Sequence, residues 1–299
     1  MKVFWSLVRR NIKLFFKDRT FFFVAMISPI ILLLLFVTFL GSIYKGSFLD
    51  ILNSFETIVD AGLVDSTVIV YLFSSLLSVS CVTVAFCCNV MSIQDKINGV
   101  DEDFKITPTS KVAINFSYLV STFIVSSFIC LVIFVILLMT TLCMGHFYFN
   151  LGNILGGIAS ILLLCLFGAI FSSIVCYFCS TEAQVNAITA TTSACYGFLC
   201  GAYMPISQFT SGIGNFISIL PGTHGTALLK NHLMSGYLVK MQENGAPIGA
   251  IEAIKEGFDL KLSLFGNEVS INALWIVIVA TVIILSIVFV VLSVRKKNK

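Results

Sequence analysis

The chain has 299 residues, of which 58% are hydrophobic and 11% are charged, and its mean hydropathy is +1.02. A soluble domain of this size cannot bury so much apolar surface, so these values predict a membrane protein. The net charge of +3 is small, and the basic residues are not spread along the chain. Nucleic acid is therefore not expected as a partner.

All 10 cysteines fall within apolar runs, which is not the pattern of a disulfide framework. The one Cys-x-x-Cys pair, Cys176 and Cys179, is accompanied by no second pair and by no neighbouring histidine. We interpret the cysteines as small apolar filler, and we expect no metal site.

Residues 1–20 predict an amphipathic helix that lies flat on the inner leaflet. One face carries Ser6, Arg9, Arg10, Lys13 and Lys17, and the other carries Phe4, Leu7, Val8, Leu14 and Phe15. Two interpretations stay open. The helix is either a positively charged anchor or, in addition, a docking surface for a cytoplasmic partner.

Six apolar stretches within residues 21–294 are long enough to cross a bilayer core of about 30 Å. They cover residues 21–44, 66–91, 112–144, 154–179, 183–204 and 271–294, and none contains Lys, Arg, Asp or Glu. The fold class predicted is therefore an all-α membrane protein with six transmembrane helices.

The distribution of positive charge predicts that both termini are cytoplasmic. With the N-terminus inside, 13 of the 18 Lys and Arg residues lie on the cytoplasmic side, including the basic tail at 295–299. The location expected is the plasma membrane.

Between the second and third spans lies a charged loop at residues 92–111. Pro108 stops any helix that arrives from Val100, and Ser110 is placed to cap the third span. We expect a short helix that projects from the membrane into the cytoplasm.

After the fifth span, residues 205–270 predict an external region. Glycine and proline residues interrupt an apolar stretch, and the run at 213–220 is too short to cross the bilayer. Broken backbone at membrane depth must be covered by protein or face a cavity, so we expect a re-entrant outer hairpin. A small external cap with one helix near residues 250–258 follows.

Two spans carry polar stripes at helical spacing. In the second span the stripe consists of Thr67, Tyr71, Ser74, Ser78 and Cys81, and in the fifth of Glu182, Asn186, Thr189, Ser193 and Tyr196. These side chains either line a translocation path or hydrogen-bond between helices, and the pattern leaves both interpretations open.

The whole chain resembles the permeases of type 2 ATP-binding-cassette exporters. The likeness rests on the basic N-terminal helix, on a loop motif and on an outer Gly/Pro signature. The loop motif is Gly99, Glu102, Phe104, Thr107-Pro108, Ser110 and Lys111, and the outer signature is Gly201-Ala-Tyr-Met-Pro205 with Leu220-Pro221-Gly222-Thr223. Val100 and Phe104 depart from the residues common in the family, which are Thr and Leu.

This resemblance implies two permease subunits, identical or paralogous, around one path, with a cytoplasmic ATPase beneath each. The segment of Gly99, Glu102, Phe104, Thr107 and Pro108 would be the coupling helix that contacts the ATPase. Spans two and five would line the path, with Tyr71, Ser74, Ser78, Asn186, Thr189, Ser193 and Tyr196 as its residues. Gly201, Pro205 and Pro221 would belong to an outer gate.

The energy for transport must come from a partner. The chain contains no Gly-Lys dipeptide and therefore no P-loop, so ATP and Mg are expected on the partner ATPase and no cofactor on this chain. Every Asp and Glu lies at or beyond a span end, which argues against proton or sodium coupling.

The expected cargo is a hydrophobic or amphipathic compound, such as a drug, an antimicrobial peptide or a lipid-like molecule. Export of a polysaccharide or teichoic acid is the alternative, followed by an ATP-independent channel or carrier. A membrane enzyme lacks catalytic material, because the only histidines are His146, His224 and His232 and no His-Glu-x-x-His motif occurs.

Overall fold

The computed structural model of the chain describes residues 2–57, 59–100, 109–264 and 267–294. The described chain is helical apart from one antiparallel hairpin, in which β1 (Ser263–Leu264) pairs with β2 (Asn267–Glu268). The helices are α1 (Lys2–Lys17), α2 (Arg19–Leu35), α3 (Gly41–Ser54), α4 (Ala61–Ile97), α5 (Lys111–Cys143), α6 (Leu151–Tyr177), α7 (Glu182–Leu199), α8 (Ser211–Ile219), α9 (Pro221–Glu243), α10 (Ile248–Gly257) and α11 (Ile271–Val294). A π-helical turn, Phe36–Leu40, joins α2 to α3, and a 3-10 turn, Ile206–Gln208, precedes α8.

Five segments of the described chain are long and apolar enough to cross a membrane. They are Phe22–Ser54, Ala61–Ile97, Lys111–Cys143, Leu151–Tyr177 and Ile271–Val294. The protein is therefore a multi-pass, all-α membrane protein. The predicted fifth span corresponds to α7, which has only 18 residues and is too polar to join this group by length and composition.

Helix α4 forms the centre of the bundle and contacts α2, α3, α5, α6, α7 and α9. In the most apolar 18-residue stretch of α4, 94% of the residues are buried. In the corresponding stretch of α11, 22% of the residues are buried. Helix α4 is rich in Ser, Thr and Cys, whereas α11 consists mostly of Ile, Val and Leu. Because lipid solvates apolar side chains as well as protein does, small and polar residues concentrate inside the bundle.

Helices α6 and α4 approach each other closely at Gly168. A Cβ atom at this position would lie 2.7 Å from the carbonyl oxygen of Cys81 and 3.0 Å from the Cα atom of Val82. One turn further, the Oγ of Ser172 accepts a hydrogen bond of 2.6 Å from the side-chain amide of Asn89. Small residues thus permit both backbone contact and hydrogen bonding between these helices.

Helix α1 occupies the predicted amphipathic segment and packs against α5 and α2. Val8 and Phe15 are buried, although Leu14, assigned to the same apolar face, is exposed. Arg10, which the pattern placed on the polar face of this helix, contacts a residue of another helix. Arg10 donates hydrogen bonds of 2.9 and 3.2 Å to the Asp95 carboxylate. That carboxylate is nearly buried at the end of α4, so it needs a cationic partner.

The first span is longer than predicted. Helix α3 continues past Tyr44 to Ser54, and its end contacts the segment that contains α10. The rings of Phe48 and Phe258 stack with centroids 4.0 Å apart, and the Tyr44 hydroxyl donates to the Tyr203 carbonyl at 2.8 Å. Contacts with residues distant in sequence therefore extend this helix beyond its apolar run.

Lys230 of α9 is fully buried and connects four parts of the chain. Its ammonium group donates to the carbonyl oxygens of Gly201, at 3.0 Å, and Phe258, at 3.3 Å. The same nitrogen lies 3.9 Å from the Asp259 carboxylate and 4.7 Å from the centre of the Tyr71 ring. This one side chain joins the end of α7, helix α4 and the segment after α10.

Asp259 completes this arrangement and is also nearly buried. Its Oδ2 accepts a hydrogen bond of 2.8 Å from the backbone N–H of Ile206. Burial raises the pKa of the Asp259 carboxyl above its ordinary value, although the Lys230 charge and the Ile206 N–H act in the opposite direction. The cation and the backbone donor are therefore what the ionised carboxylate needs at this position.

Removing the lysine charge alone should destabilise the protein. Lys230→Met leaves the Asp259 carboxylate buried without its cation, and we expect a loss of about 3–5 kcal/mol. The double variant K230M/D259N should recover part of that loss, because the asparagine keeps an acceptor for Ile206 without a charge. Thermal unfolding in detergent, followed with a thiol-reactive dye on the buried cysteines, measures the differences.

Lys255→Ala is the matched control, because Lys255 pairs with Glu252 at a partly exposed site. Its effect should be about 0–1 kcal/mol. Equal melting temperatures for K230M and K255A would contradict the structural role of the buried lysine.

Candidate functional site

Helix α7 lies at the edge of the bundle and exposes polar side chains. Val185, Tyr196 and Gly197 are its buried residues. Gln184, Asn186 and Thr191 are exposed, and Thr189 and Ser193 are half-buried. A helix with this distribution is unsuited to face acyl chains along its length, because lipid offers polar groups no hydrogen bonds.

The polar face of α7 forms one wall of an open groove of about 910 Å³. Asn186, Thr189 and Ser193 line this wall among Ala190, Ala194 and Phe198, and Gln208 is a further polar lining residue. The opposite wall is apolar and comes from α2, the π-helical turn and α3. Its lining residues include Val24, Ile27, Ile31, Leu35, Phe39 and Ile43.

The groove runs along most of the first span. Its lining extends from Val24 near the start of α2 to Tyr44 in α3. At about 1.5 Å per helical residue, this length is about 30 Å, which equals the thickness of the hydrocarbon core. No Lys, Arg, Asp or Glu of the described chain is among its lining residues. The groove therefore offers an uncharged surface about as long as the bilayer core is thick.

Thr189 stands out within the groove. The atom Oγ1 of Thr189 is buried and has no hydrogen-bond partner among the described residues. An unpaired hydroxyl in a largely apolar groove is unfavourable by about 1–3 kcal/mol. A bound molecule or a second subunit with a polar group at this position would satisfy it.

The predicted stripe on α4 does not reach this groove. Tyr71, Ser74 and Ser78 are fully buried inside the subunit. The Ser78 hydroxyl hydrogen-bonds to the Thr226 hydroxyl of α9, and the Ser74 hydroxyl donates to the Tyr71 carbonyl at 2.7 Å. The structure therefore groups Asn186, Thr189 and Ser193 in one groove and leaves the α4 residues within the bundle.

Tyr196 of α7 is also buried, and its ring packs against the start of α9. A Cβ atom on Gly222 would lie 2.6 Å from the Tyr196 hydroxyl oxygen, so glycine is needed for this contact. The Thr223 hydroxyl donates to the carbonyls of Ile217, at 2.6 Å, and Leu199, at 3.1 Å. These contacts hold α7, α8 and α9 together at their shared ends.

The predicted gate residues lie where the helices break. Gly201 has a φ of +65° and ends α7, a conformation that favours glycine. Pro205 immediately precedes the 3-10 turn, and Pro221 occupies the first turn of α9. Proline lacks the N–H that an interior helical position needs, so it fits these starting positions.

The predicted coupling segment is described only in part. Gly99 has a φ of +77° and follows α4, so glycine is the residue that turns the chain there. Glu102, Phe104, Thr107 and Pro108 lie outside the described residues. Ser110 accepts a hydrogen bond from the Ala113 N–H and caps α5 as predicted.

An ion pair lies just before this segment and was not predicted. Besides Arg10, the Asp95 carboxylate accepts a hydrogen bond of 2.5 Å from the Tyr118 hydroxyl of α5. Burial lowers the pKa of Arg10, but the hydrogen bond and charge of Asp95 raise it by more. The network joins α1, α4 and α5 at the base of the loop.

The comparison with protein families agrees with this arrangement. The model of the ABC-2 type transporter family matches residues 2–233, which is most of the chain. The chain belongs to the ABC-2 type transporter family. No curated protein and no solved structure matches it. The matched region of this ABC-2 transporter includes α1, the loop after α4, the groove and most of α9.

Sequence reasoning missed the two charged networks of this ABC-2 transporter. The sequence pattern placed Arg10 only on the polar face of the N-terminal helix, and it did not single out Lys230. Lys230 offered a weak signal, since it follows the apolar pair Leu228 and Leu229 directly in a Gly/Pro-punctuated segment. Its partner Asp259 is 29 residues away, and no periodicity links the two positions.

Proposed function

We propose that this protein is the permease subunit of an ABC exporter that moves a hydrophobic or amphipathic compound outward. Membership of the ABC-2 type transporter family supports the general function. The observation that carries the finer proposal is the largely apolar groove in which Asn186, Thr189 and Ser193 provide polar groups on the α7 side, over a length equal to the thickness of the bilayer core.

A second subunit completes the path in this proposal. The polar side chains of α7 gain little from facing acyl chains, so the open side of the groove is closed by another permease, identical or paralogous. Helix α7 is then the sixth span, because protein rather than lipid surrounds its polar face. The two facing grooves enclose the translocation path.

The segment after α7 forms a re-entrant hairpin in this proposal. Thr226 of α9 contacts Ser78, near the middle of α4, and Gly225 contacts Leu164, near the middle of α6. The start of α9 therefore lies at the depth of the bundle centre, whereas α10 and the β-hairpin form the outer cap. Gly201, Pro205 and Pro221 position these breaks and form the outer gate.

A separate ATPase drives the cycle. ATP and Mg bind to this partner, because the permease sequence contains no P-loop. Both termini and the loop of Gly99, Glu102, Phe104, Thr107 and Pro108 face the cytoplasm of a cell with the permease in its plasma membrane. The Arg10, Asp95 and Tyr118 network carries movement of this loop to α1 and α5.

The groove supports a lipid-soluble or amphipathic cargo over the alternatives. Its apolar wall of Ile, Leu, Val and Phe suits hydrocarbon or aromatic groups, while Asn186, Thr189 and Ser193 provide hydrogen bonds. A polysaccharide or teichoic acid needs polar contacts on more than one wall. An ion-coupled carrier needs a titratable group, and the described groove lining contains none with a charge.

Substitutions at Thr189 and Ser78 separate the groove from the bundle core. Thr189→Leu should shift the concentration of cargo that half-maximally stimulates the partner ATPase by roughly fivefold, since about 1 kcal/mol of hydrogen bonding is lost. Its melting temperature should stay close to that of the wild type. Ser78→Leu should instead destabilise the fold by about 1–3 kcal/mol, because it overpacks the contact with Thr226.

Both variants are measured in the reconstituted complex with the ATPase, with unfolding followed in parallel. The reverse pattern, with altered cargo response in S78L and lowered stability in T189L, would show that the path runs along α4 instead.

The coupling role of the loop is tested by charge reversal. Glu102→Arg should leave the permease folded but abolish its co-purification with the ATPase and the transport of cargo into inside-out vesicles. The control is Glu256→Arg, an exposed residue of α10 on the opposite side of the membrane in this proposal. Normal transport by the E102R complex would remove the coupling assignment, and accumulation of a solute by the permease alone in liposomes would refute the proposed function.

A further inference from the structure

A second groove lies between the first span and α4. Its volume is about 330 Å³, within the range of about 300–1,000 Å³ that ligand pockets occupy. Among the described residues, only Phe36 lines both this groove and the groove of α7, so the two are separate. The lining is mostly apolar and includes Leu33, Phe36, Val68, Ile69, Leu72, Phe73, Leu76 and Met144.

The second groove follows one face of α4 over half the thickness of a membrane. Asp65, Ile69, Leu72 and Leu76 recur at intervals of three or four residues, so they share this face. At about 1.5 Å per helical residue, the distance from Asp65 to Leu76 is about 16 Å. The hydrocarbon core of a bilayer is about 30 Å thick, so each leaflet contributes about 15 Å. The groove therefore has the length of the acyl region of one leaflet.

An ion pair closes one end of this groove. The Nζ atom of Lys45 lies 2.5 Å from the Oδ1 atom of Asp65, and the two side chains are 40% and 39% exposed. No other charged residue of the described chain lines the groove. Ion pairs with this exposure contribute little to stability, so little is lost when a ligand separates the two groups. The groove thus ends in one accessible cation and one accessible anion.

These features match the two parts of a phospholipid. The apolar lining accommodates an acyl chain, and the ion pair lies where the headgroup of that lipid would be. The Lys45 ammonium can donate to a lipid phosphate, while the Asp65 carboxylate can accept from a cationic headgroup. Hydrogen bonds between oppositely charged groups of this kind are about twice as strong as those between neutral groups.

The local charge selects among headgroups. Within residues 41–66, Lys45 is the one basic residue, whereas Asp50, Glu56, Asp60 and Asp65 are acidic. This excess of negative charge disfavours a headgroup with a net negative charge. A quaternary ammonium has no N–H to donate to Asp65, whereas a primary ammonium has three. A phosphate followed by a primary ammonium therefore complements this end of the groove.

We propose that the groove between the first span and α4 binds one phosphatidylethanolamine molecule, with its phosphate on Lys45 and its ammonium on Asp65. The site does not depend on the proposed transport function. Binding to the folded state alone stabilises that state, so the lipid holds the first span against α4. Because the first span also forms the apolar wall of the α7 groove, the bound lipid stabilises the position of that wall.

The test counts the lipids that the purified full chain retains. The delipidated chain is mixed with phosphatidylethanolamine, phosphatidylglycerol or phosphatidylcholine, each with two oleoyl chains, and native mass spectrometry counts bound molecules. The wild type should retain one phosphatidylethanolamine, with an affinity about tenfold higher than for either other lipid, as one additional charge-assisted hydrogen bond predicts. Its melting temperature should rise with this lipid.

The variant Asp65→Asn tests the headgroup contact. Its preference for phosphatidylethanolamine should fall to about twofold or less, because the amide has no charge to attract the ammonium. Glu243→Gln is the matched control, since it removes an ion pair with Lys240 that is also exposed and lies outside this groove. The control should keep the preference of the wild type.

The variant Ser42→Trp tests the seat of the acyl chain. Ser42 is exposed, lines the groove and lies one helical turn from Lys45, so a tryptophan ring there fills the slot without removing the ion pair. Retention of phosphatidylethanolamine should be lost, while the lipid-free variant melts close to the lipid-free wild type. If S42W does not fold, the lipid preference of D65N decides the question.

Four results would overturn the proposal. The first is equal retention of the three lipids by the wild type, and the second is an unchanged preference in D65N. The third is loss of the lipid in T189L but not in S42W, which would place the lipid in the groove of α7. The fourth is a dimer that retains no lipid and dissociates in S42W, which would show that a second copy covers the groove.

Discussion

Polar groups inside a membrane must find hydrogen-bond partners within protein, and this constraint organises the bundle. The Asn89 amide shows how it is met, because it donates to Ser172 and Ser173 of α6 and accepts from Thr122 of α5. Contacts of this kind stabilise α4, with its Ser, Thr and Asn side chains, at the centre of the bundle. The strongly apolar helix α11 remains outside, where lipid solvates it as well as protein would.

Helix α7 differs from α4 in where its polar side chains lie, and these side chains identify the candidate site. Its polar residues lie in an open groove rather than inside the subunit, and the buried Thr189 hydroxyl has no partner among the described residues. The same physical constraint that buries the stripe on α4 therefore requires a cover for α7. In the proposed function, a second subunit and a cargo complete this arrangement, which is unfavourable for one isolated chain.

Two charge pairs connect helices that are far apart in the sequence. Lys230 and Asp259 join α9 to the segment after α10, and Arg10 and Asp95 join α1 to the base of the loop after α4. Such pairs are costly to desolvate, so they persist where position matters more than stability. In this transporter they connect α1 to α4, and α9 to the segment after α10.

Much of the fold could be predicted from the sequence, because hydropathy and helix-breaking residues act locally. Apolar length identified the five segments that are long and apolar enough to cross a membrane, and Gly201 and Pro221 lie at helix ends where the pattern placed the breaks. Local signals failed at the end of the first span, where α3 continues beyond Tyr44 and contacts Phe258 and α10. The candidate site was predicted in part: Asn186, Thr189 and Ser193 line the groove, while Tyr71, Ser74 and Ser78 lie within the bundle.

The sequence by itself determined that this protein resides in a membrane, that it is helical, where its chain breaks and which family it resembles, because each of these follows from the chemistry of short segments. Only the tertiary structure decided which polar stripe is buried and which is open, that Lys230 reaches Asp259, and that Lys45 and Asp65 close one end of an apolar groove. The physical reason is that lipid gives an apolar helix no preference for one side over another. The facing of each helix is therefore set by its contacts with the others, and those contacts join residues that are far apart in the sequence.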